Sequence, residues 1–182
     1  MVELASWLTA LPVLLAAAAI TWAVSVMQRN VTIVDTLWPV LFILAAVTYA
    51  ATGPAGPRAW LLVALVGLWG ARLAIYLAWR NFGHDEDRRY QAIRQRNEPN
   101  FALKSLYLIF GFQAVLAWVI SLPLAGAAAG DSPLGWLDAA GVAAWLVGLV
   151  FEAGGDWQLA RFKRDPANAG QVMDRGLWRY TR

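Results

Sequence analysis

Residues 141–164 read GVAAWLVGLVFEAGGDWQLARFKR, an apolar run that continues without a break into charged residues. Helical spacing places Glu152, Asp156 and Lys163 near one face of the predicted helix. Carboxylates four residues apart repel each other unless hydrogen-bond donors or positive charge lie between them. Gly154 and Gly155 permit another backbone to approach closely. The stretch therefore predicts a membrane helix whose polar end is either a solvated, self-paired surface or a binding face for a ribose or an amide.

The whole chain has the composition of a membrane protein. Of its 182 residues, 59% are hydrophobic and eleven are Trp, with a mean hydropathy of +0.48, which is far outside the range of soluble domains. The chain has no Cys and a single His, His84, which excludes disulfides and Cys- or His-rich metal centres. It contains neither a GxGxxG motif nor a Walker loop, and nucleic acid is not the expected partner.

Five apolar stretches are long enough to cross a bilayer, whose core of about 30 Å needs about 20 residues in a helix. They are residues 5–27, 31–52, 59–79, 105–125 and 135–154. Lipid offers no partners to backbone polar groups, so each stretch is predicted to be α-helical. The sequence thus predicts an all-α, polytopic transmembrane helix bundle that forms a single membrane domain over residues 1–182, with a polar loop at 80–104 and a polar segment at 155–182.

Basic residues predict the orientation of the bundle. Six Lys or Arg residues lie in 80–104 and six more follow residue 155, whereas 126–134 holds none. Both basic segments are therefore expected in the cytoplasm, with the N-terminus outside. Four tryptophans near predicted helix ends fit an interfacial aromatic belt: Trp7, Trp60, Trp79 and Trp136.

Ionisable side chains within the apolar helices are candidates for function, because each costs about 2.5–3.5 kcal/mol at a helix centre on insertion scales. Asp35 lies about one turn into the second helix. It is either a carboxylate near the interface that is hydrated or neutralised by a basic neighbour, or a carboxyl group in a cavity that can hold or give a proton. Arg72, Tyr76 and Arg80 line one stripe of the third helix. Arg72 is expected to pair with a carboxylate such as Asp35 or Glu152, or to bind an anionic ligand, whereas Arg80 can snorkel to the interface.

Two further features have more than one interpretation. Gln113 in the fourth helix is predicted to form an interhelical hydrogen bond. The loop sequence HDEDRRYQAIRQRN at 84–97 is typical of a solvated helix. Its arginines could also join the basic residues after 155 in a polyphosphate pocket, or bind anionic lipid headgroups.

Four motifs, in this order along the chain, carry a family resemblance. They are NVTIVDTLWP (30–39), ARLAIYLAWRN (71–81) with EDRRY (86–90), FEAGGDWQLARFK (151–163) and DRGLWRYTR (174–182). Together they resemble the bacterial membrane proteins of the steroid 5-alpha-reductase superfamily, which shares its C-terminal half with delta-14 sterol reductases and isoprenylcysteine carboxyl methyltransferases. The resemblance implies a seven-helix fold in the bacterial cytoplasmic membrane, with a cytoplasmic NADPH site and a lipid-side entrance for an enone.

The resemblance also implies roles for individual residues. Asp35 and Tyr76 match the acid and the tyrosine that polarise the enone carbonyl while hydride passes to the beta carbon. Related reductases more often have Asn, Asp and Arg at the positions of Glu152, Asp156 and Lys163. Residues that match cofactor-side positions are Arg72, Arg80, Arg89, Tyr90, Glu152, Asp156, Lys163 and Arg179.

The family continues beyond the WRYTR motif into two further helices that complete the cofactor pocket. We therefore expect the 182-residue chain alone to bind NADPH poorly and to reduce nothing. The predicted function of the complete protein is NADPH-dependent reduction of a lipophilic enone, such as a 3-oxo-4-ene steroid. Two alternatives stay open: an S-adenosylmethionine-dependent methyltransferase acting on a lipid-linked carboxylate, and a non-catalytic lipid-binding protein. The sequence predicts no oligomeric state.

Overall fold

A computed structural model describes residues 4–180 of the chain. It divides into two compact units, Met1–Pro133 and Leu134–Arg182, and each is described here by itself. Regular structure in residues 4–180 is helical throughout, so the predicted all-α class is confirmed. Among the described residues, five helices are long and apolar enough to cross a membrane, in agreement with the predicted number of spans.

The first unit is built from helices joined by short connections. In chain order they are α1 (Leu4–Gln28), α2 (Ile33–Thr52), α3 (Pro57–Asn81), α4 (Arg88–Asn97), α5 (Phe101–Ser105), α6 (Phe112–Ile120) and α7 (Leu122–Ala128). A π-helical turn, Leu106–Gly111, joins α5 to α6, so that Phe101–Ile120 is one continuous apolar span. Helix α4 lies within the polar loop that the sequence predicted at residues 80–104.

The fourth span is shifted towards the N-terminus from its predicted range, 105–125. Lys104 interrupts the apolar run in the sequence, but its Nζ donates to the Asn97 carbonyl oxygen at 2.8 Å. The charge is thus satisfied at the helix end, and the helix begins at Phe101. Pro123 lies in the first turn of α7, where its missing N–H is tolerated, so a new helix starts after Ser121.

Helix α2 lies at the centre of the first unit. It packs against α1, α3, α6 and α7, and half of its apolar span is buried, compared with 22% for α1 and 6% for α3. Its buried side chains include Val34, Leu41, Ala45 and Tyr49. The other helices of this unit therefore present most of their apolar surface outward, as contact with lipid requires.

Two pairs of residues in the first unit form hydrogen bonds between separate parts of the helix bundle. Trp7 Nε1 donates to the Trp118 carbonyl oxygen at 3.2 Å, and Trp118 Nε1 donates to the Trp7 carbonyl oxygen at 2.9 Å. The two indole rings also stack, with centroids 3.8 Å apart. The hydroxyl groups of Tyr49 and Ser121 form a hydrogen bond, with their oxygen atoms 2.6 Å apart. Trp7, predicted to belong to the interfacial belt, therefore also holds α1 against α6.

The second unit consists of a long helix and a short segment that folds back on it. Helix α8 spans Trp136–Arg164 and continues well beyond residue 154, where the apolar run ends; Pro166 follows its C-cap, Asp165. A 3₁₀ turn at Gly176–Arg179 packs on α8, with Trp178 Nε1 donating to the Gly155 carbonyl oxygen at 2.9 Å. A Cβ atom at Gly154 would lie 2.8 Å from Leu177 Cδ1. The two glycines therefore make room for the side chains of Leu177 and Trp178, whereas the sequence led us to expect the approach of another backbone.

Gly70 sets the contact between α2 and α3, and substitution of this glycine should separate the two helices. A Cβ atom there would lie 2.8 Å from Ile43 Cγ1 and 3.0 Å from the Pro39 carbonyl oxygen, whereas a Cβ atom at Gly67 would meet nothing within 4 Å. We expect Gly70→Ala to lower the free energy of unfolding by about 1–3 kcal/mol, the range for overpacking.

Reversible unfolding in detergent micelles measures this effect, with Gly67→Ala as the matched control. Both variants gain the same helix propensity, so the difference between them isolates the steric contact. Equal stability of the two variants would contradict the assignment.

Candidate functional site

The 82–100 loop contacts the start of α2 in a fixed register. Three hydrogen-bonded pairs join the two segments, and the partners in each pair are 55 residues apart: Val31 with Glu86, Thr32 with Asp87, and Asp35 with Tyr90. The first residues of the two helices, Ile33 in α2 and Arg88 in α4, are separated by the same interval. The two helices therefore start side by side.

Glu86 anchors the loop. Its side chain is 9% exposed and accepts hydrogen bonds from the Val31 amide at 2.9 Å and from Arg94 Nε and Nη2 at 2.9 and 2.8 Å. Burial by itself would raise the pKa of Glu86, but these hydrogen bonds and the Arg94 charge outweigh it and lower the pKa below its usual value. Arg94 also lies over the Phe101 ring, so this guanidinium, counted among possible phosphate ligands in the sequence, is engaged within the fold.

Asp35 is the acidic group at the centre of the candidate site. It lies in the first turn of α2, where the helix dipole favours a carboxylate, and its side chain is 16% exposed. Tyr90 donates its hydroxyl proton to Asp35 Oδ1 at 2.5 Å, and Arg89 Nη2 donates to Asp35 Oδ2 at 3.2 Å. The structure thus brings together Asp35, Arg89 and Tyr90, three residues that the sequence analysis assigned separately.

Both partners of Asp35 are held in their donor forms. Burial raises the pKa of Tyr90 far above its ordinary value, and the hydrogen bond to the Asp35 carboxylate raises it further. The hydrogen bond to Asp87 is the main reason that the pKa of Arg89 is raised, and the Asp35 charge adds to it. At neutral pH, Asp35 therefore faces a neutral phenol and a positively charged guanidinium.

Asp35 and Arg89 line a cleft of about 450 Å³ within the first unit, here named the Asp35 cleft. Its walls come from α2, α3, α4 and α6 and combine apolar surface with a few polar groups. The lining residues are Asp35, Trp38, Leu77, Arg80, Arg89, Phe112, Gln113 and Leu116. A mainly apolar pocket with a few convergent polar groups is typical of a small-molecule site.

Two predicted site residues of α3 do not line this cleft. Leu77 and Arg80 form its α3 wall, whereas Tyr76 lies beside the Trp79 ring, with centroids 6.1 Å apart. Arg72 lies two helical turns before Arg80. The tyrosine hydroxyl that reaches Asp35 is that of Tyr90, which the sequence analysis placed on the cofactor side. No local signal pairs residues 55 positions apart, so this contact was not predictable from the motifs.

The second unit contains a separate groove of about 350 Å³, here named the Glu152 groove. It is formed by one face of α8 and the 3₁₀ turn. The lining residues are Gly148, Phe151, Glu152, Gly155, Asp156, Leu177 and Trp178. The two predicted carboxylates therefore share one concave surface, while Lys163 and Arg179 are exposed and do not line it.

The fold defines a polytopic, α-helical membrane protein in which Asp35 and Arg89 line a cleft of the first unit and the Tyr90 hydroxyl is hydrogen-bonded to Asp35. Residues 21–182 match the family described as "Protein of unknown function (DUF1295)", and the chain belongs to this family. No curated protein and no solved structure matches the chain.

Removal of the Arg94 guanidinium should loosen the loop in a pH-dependent way. Glu86 has a lowered pKa in the folded protein, so its stabilising contribution is complete above the unfolded value of about 4.3 and is lost as the pH falls through the folded value. We expect Arg94→Met to cost about 1.5–3 kcal/mol at neutral pH, as for a hydrogen bond to a charged group.

The difference in stability between Arg94→Met and the parent should shrink below about pH 4, where Glu86 of the parent also becomes protonated. Unfolding midpoints from pH 3 to pH 7 measure this, with Arg96→Met as the control because Arg96 is exposed on the same helix. A stability difference that stays constant with pH would contradict the anchoring role of Glu86.

Proposed function

We propose that this protein reduces the carbon-carbon double bond of a lipophilic enone, such as a 3-oxo-4-ene steroid, with NADPH as the reductant. The observation that carries the proposal is the Asp35 carboxyl group in an apolar cleft, hydrogen-bonded at one oxygen by Tyr90 and at the other by Arg89. Membership of DUF1295 and the four motifs that resemble steroid 5-alpha-reductases support the same function.

The Asp35 cleft suits polarisation of a ketone. Reduction of an enone adds one hydride at the beta carbon and one proton at the alpha carbon, so negative charge develops on the carbonyl oxygen. The Arg89 guanidinium and the Tyr90 hydroxyl, which Asp35 holds together by accepting a hydrogen bond from each, are the donors that can turn to that oxygen. A donor aimed at developing charge in a site with little water gives large catalytic effects. Trp38, Leu77 and Leu116 offer the apolar surface that a lipophilic substrate needs.

NADPH would supply the hydride when bound, and residues of the second unit fit its chemistry. Glu152 and Asp156 line the Glu152 groove and can accept hydrogen bonds from ribose hydroxyls or from a carboxamide. In the first unit, taken by itself, Arg80 and Arg89 have exposed guanidinium groups at the Asp35 cleft, which suit an anionic group, whereas the Arg94 guanidinium is bonded to Glu86.

NADPH should stabilise the protein, since a ligand that binds only the folded state raises its stability, by about 2.7 kcal/mol at one hundred times the dissociation constant. Because the 182-residue chain is expected to bind NADPH poorly, each ligand is added at high concentration. Under that condition the thermal unfolding midpoint of the protein in lipid nanodiscs should rise with NADPH and not with S-adenosylmethionine. Asp156→Asn should reduce the rise in the unfolding midpoint that NADPH causes. Lys163→Met, which removes the predicted phosphate contact, should reduce it as well.

Asp165→Asn is the control for Asp156→Asn, because it makes the same charge change outside the Glu152 groove and Asn keeps an acceptor for the Ala167 amide. Stabilisation by S-adenosylmethionine alone would favour the methyltransferase alternative. Stabilisation by neither compound would favour a non-catalytic lipid-binding protein.

Turnover should depend on the groups that surround the carbonyl. Where NADPH oxidation with a 3-oxo-4-ene steroid is measurable, we expect Asp35→Asn and Tyr90→Phe each to lower its rate about 100-fold or more, the lower limit for loss of a donor to a developing oxyanion. Cofactor stabilisation should be unchanged in both variants. Asp85→Asn is the control, since Asp85 is exposed in the same loop.

Tyr76→Phe decides between the two tyrosines. The family resemblance implies Tyr76 as the catalytic tyrosine, whereas the geometry favours Tyr90. If Tyr76→Phe abolishes turnover and Tyr90→Phe does not, the catalytic role proposed for Tyr90 is wrong.

A further inference from the structure

A second pocket of the first unit lies between the ends of two membrane spans, and it is here named the Arg29 pocket. Its volume is about 260 Å³. Apolar walls come from Val26, Val31, Phe101 and Ala102, and the charged groups are Arg29 and Arg94. Since α1 ends at Gln28 and the fourth span begins at Phe101, the pocket lies at the depth where a bilayer passes from acyl chains to headgroups.

The two charged groups of this pocket differ in what they already bind. The Arg94 guanidinium is held by the buried carboxylate of Glu86. The Arg29 side chain is exposed, and its guanidinium has no hydrogen-bond or salt-bridge partner among residues 4–180. Arg29 therefore adds to the pocket a positive charge that no carboxylate of the described residues neutralises.

Arg29 occupies a backbone position that usually belongs to glycine. Its amide donates to the Val26 carbonyl oxygen at 3.2 Å, and the Asn30 amide donates to the Ser25 carbonyl oxygen at 3.1 Å. These are the two hydrogen bonds of a Schellman motif at a helix C-terminus. The φ angle of Arg29 is 51°, in the left-handed region where residues other than glycine are strained. The presence of arginine there indicates that its side chain contributes something that glycine would not.

We propose that the Arg29 pocket binds the phosphate group of an anionic phospholipid. A guanidinium group suits phosphate because it can donate two parallel hydrogen bonds. Anionic headgroups are abundant in the cytoplasmic leaflet, the side on which the basic loops are expected. The volume of about 260 Å³ lies below the range of about 300–1,000 Å³ that is typical for drug-sized ligands. The pocket therefore suits a headgroup better than a whole nucleotide cofactor.

Apolar surface for the acyl chains lies next to the pocket. Met27 and Leu103, which follow the lining residues Val26 and Ala102 in the chain, have side chains that are 85% and 62% exposed. In a bilayer such side chains face lipid. A phospholipid whose phosphate contacts Arg29 can thus lay its chains against α1 and the fourth span.

A lipid in this pocket would contact the elements that anchor the 82–100 loop. Val31, whose amide donates to Glu86, and Arg94 both line the pocket. Neither the pocket nor the proposed lipid depends on NADPH or on the Asp35 cleft. The proposal is therefore independent of the reductase function.

Equilibrium binding of short-chain lipids to the full chain in a non-ionic detergent tests this proposal. The probes are dihexanoyl phosphatidylglycerol, which carries a net negative charge, and dihexanoyl phosphatidylcholine, which carries none. The parent should bind phosphatidylglycerol about fivefold more tightly, the effect of one basic residue near an anionic membrane surface. Glycerol 3-phosphate, a phosphate source without acyl chains, should bind more weakly than phosphatidylglycerol, because it lacks the apolar contacts.

Paired variants test the charge and the pocket separately. Arg29→Gln should remove the preference for phosphatidylglycerol, whereas Arg96→Gln, which removes the same charge from an exposed residue of α4, should keep it. Ala102→Phe should weaken the binding of both lipids, because the ring fills the pocket from an exposed wall residue. Leu103→Phe is its control, since Leu103 is exposed and does not line the pocket.

Arg29→Gly separates lipid binding from folding. Glycine suits the left-handed backbone, so this variant without lipid should unfold at the same temperature as the parent or higher, and it should lose the lipid preference. A lower unfolding midpoint together with an unchanged lipid preference would show that Arg29 serves only the helix end.

Three other results would overturn the proposal. They are equal binding of the two lipids by the parent, an equal loss of preference in Arg29→Gln and Arg96→Gln, and binding of glycerol 3-phosphate as tight as that of phosphatidylglycerol. Because NADPH is absent from every measurement, none of these results bears on the proposed reductase.

Discussion

The buried carboxylate of Glu86 fixes the position of the candidate site. It ties the 82–100 loop to the backbone of Val31, immediately before α2, and it engages Arg94 from within the same loop. With that contact and the Thr32–Asp87 hydrogen bond in place, α4 must start beside α2. Tyr90 and Asp35 each follow these anchors by one helical turn, so the register of the anchors brings them together.

The two acid–base clusters of this loop differ in solvent exposure, and this difference separates a structural role from a functional one. Glu86 and Arg94 have side chains 9% and 31% exposed, whereas Arg89, which pairs with Asp35, is 67% exposed. An ion pair with one partner in water contributes little to stability. The Arg89–Asp35 contact therefore adds little to the stability of the loop, while the Glu86–Arg94 contact holds the loop in place.

Local patterns in the sequence predicted the helices well and the site only in part. Apolar length identifies a membrane span because the bilayer imposes it. Short stretches of sequence are enough to predict the five spans, the continuation of α8 into a polar face and the packing role of Gly154 and Gly155. The contact between Asp35 and Tyr90 could not be predicted in this way, because the loop that carries Tyr90 has the sequence of a solvated helix. For the same reason Arg94 was grouped with the phosphate-binding candidates: the depth of Glu86 is set by tertiary contacts and has no signature in the mixed run EDRR.

Hydrogen bonding within the first unit distinguishes the Asp35 cleft from the rest of the helix packing. The hydroxyls of Ser25, Thr48 and Ser105 each donate their proton to a carbonyl oxygen of their own helix, so their donor is used locally. Two buried amide atoms differ from them: Gln113 Oε1 and Asn81 Nδ2 have no partner among residues 4–180. Gln113 lines the cleft and Asn81 follows Arg80, which lines it too. In a low-dielectric environment such groups are costly unless something binds them, and Gln113 places one of them in the wall of the Asp35 cleft, beside the charged groups of Asp35, Arg80 and Arg89.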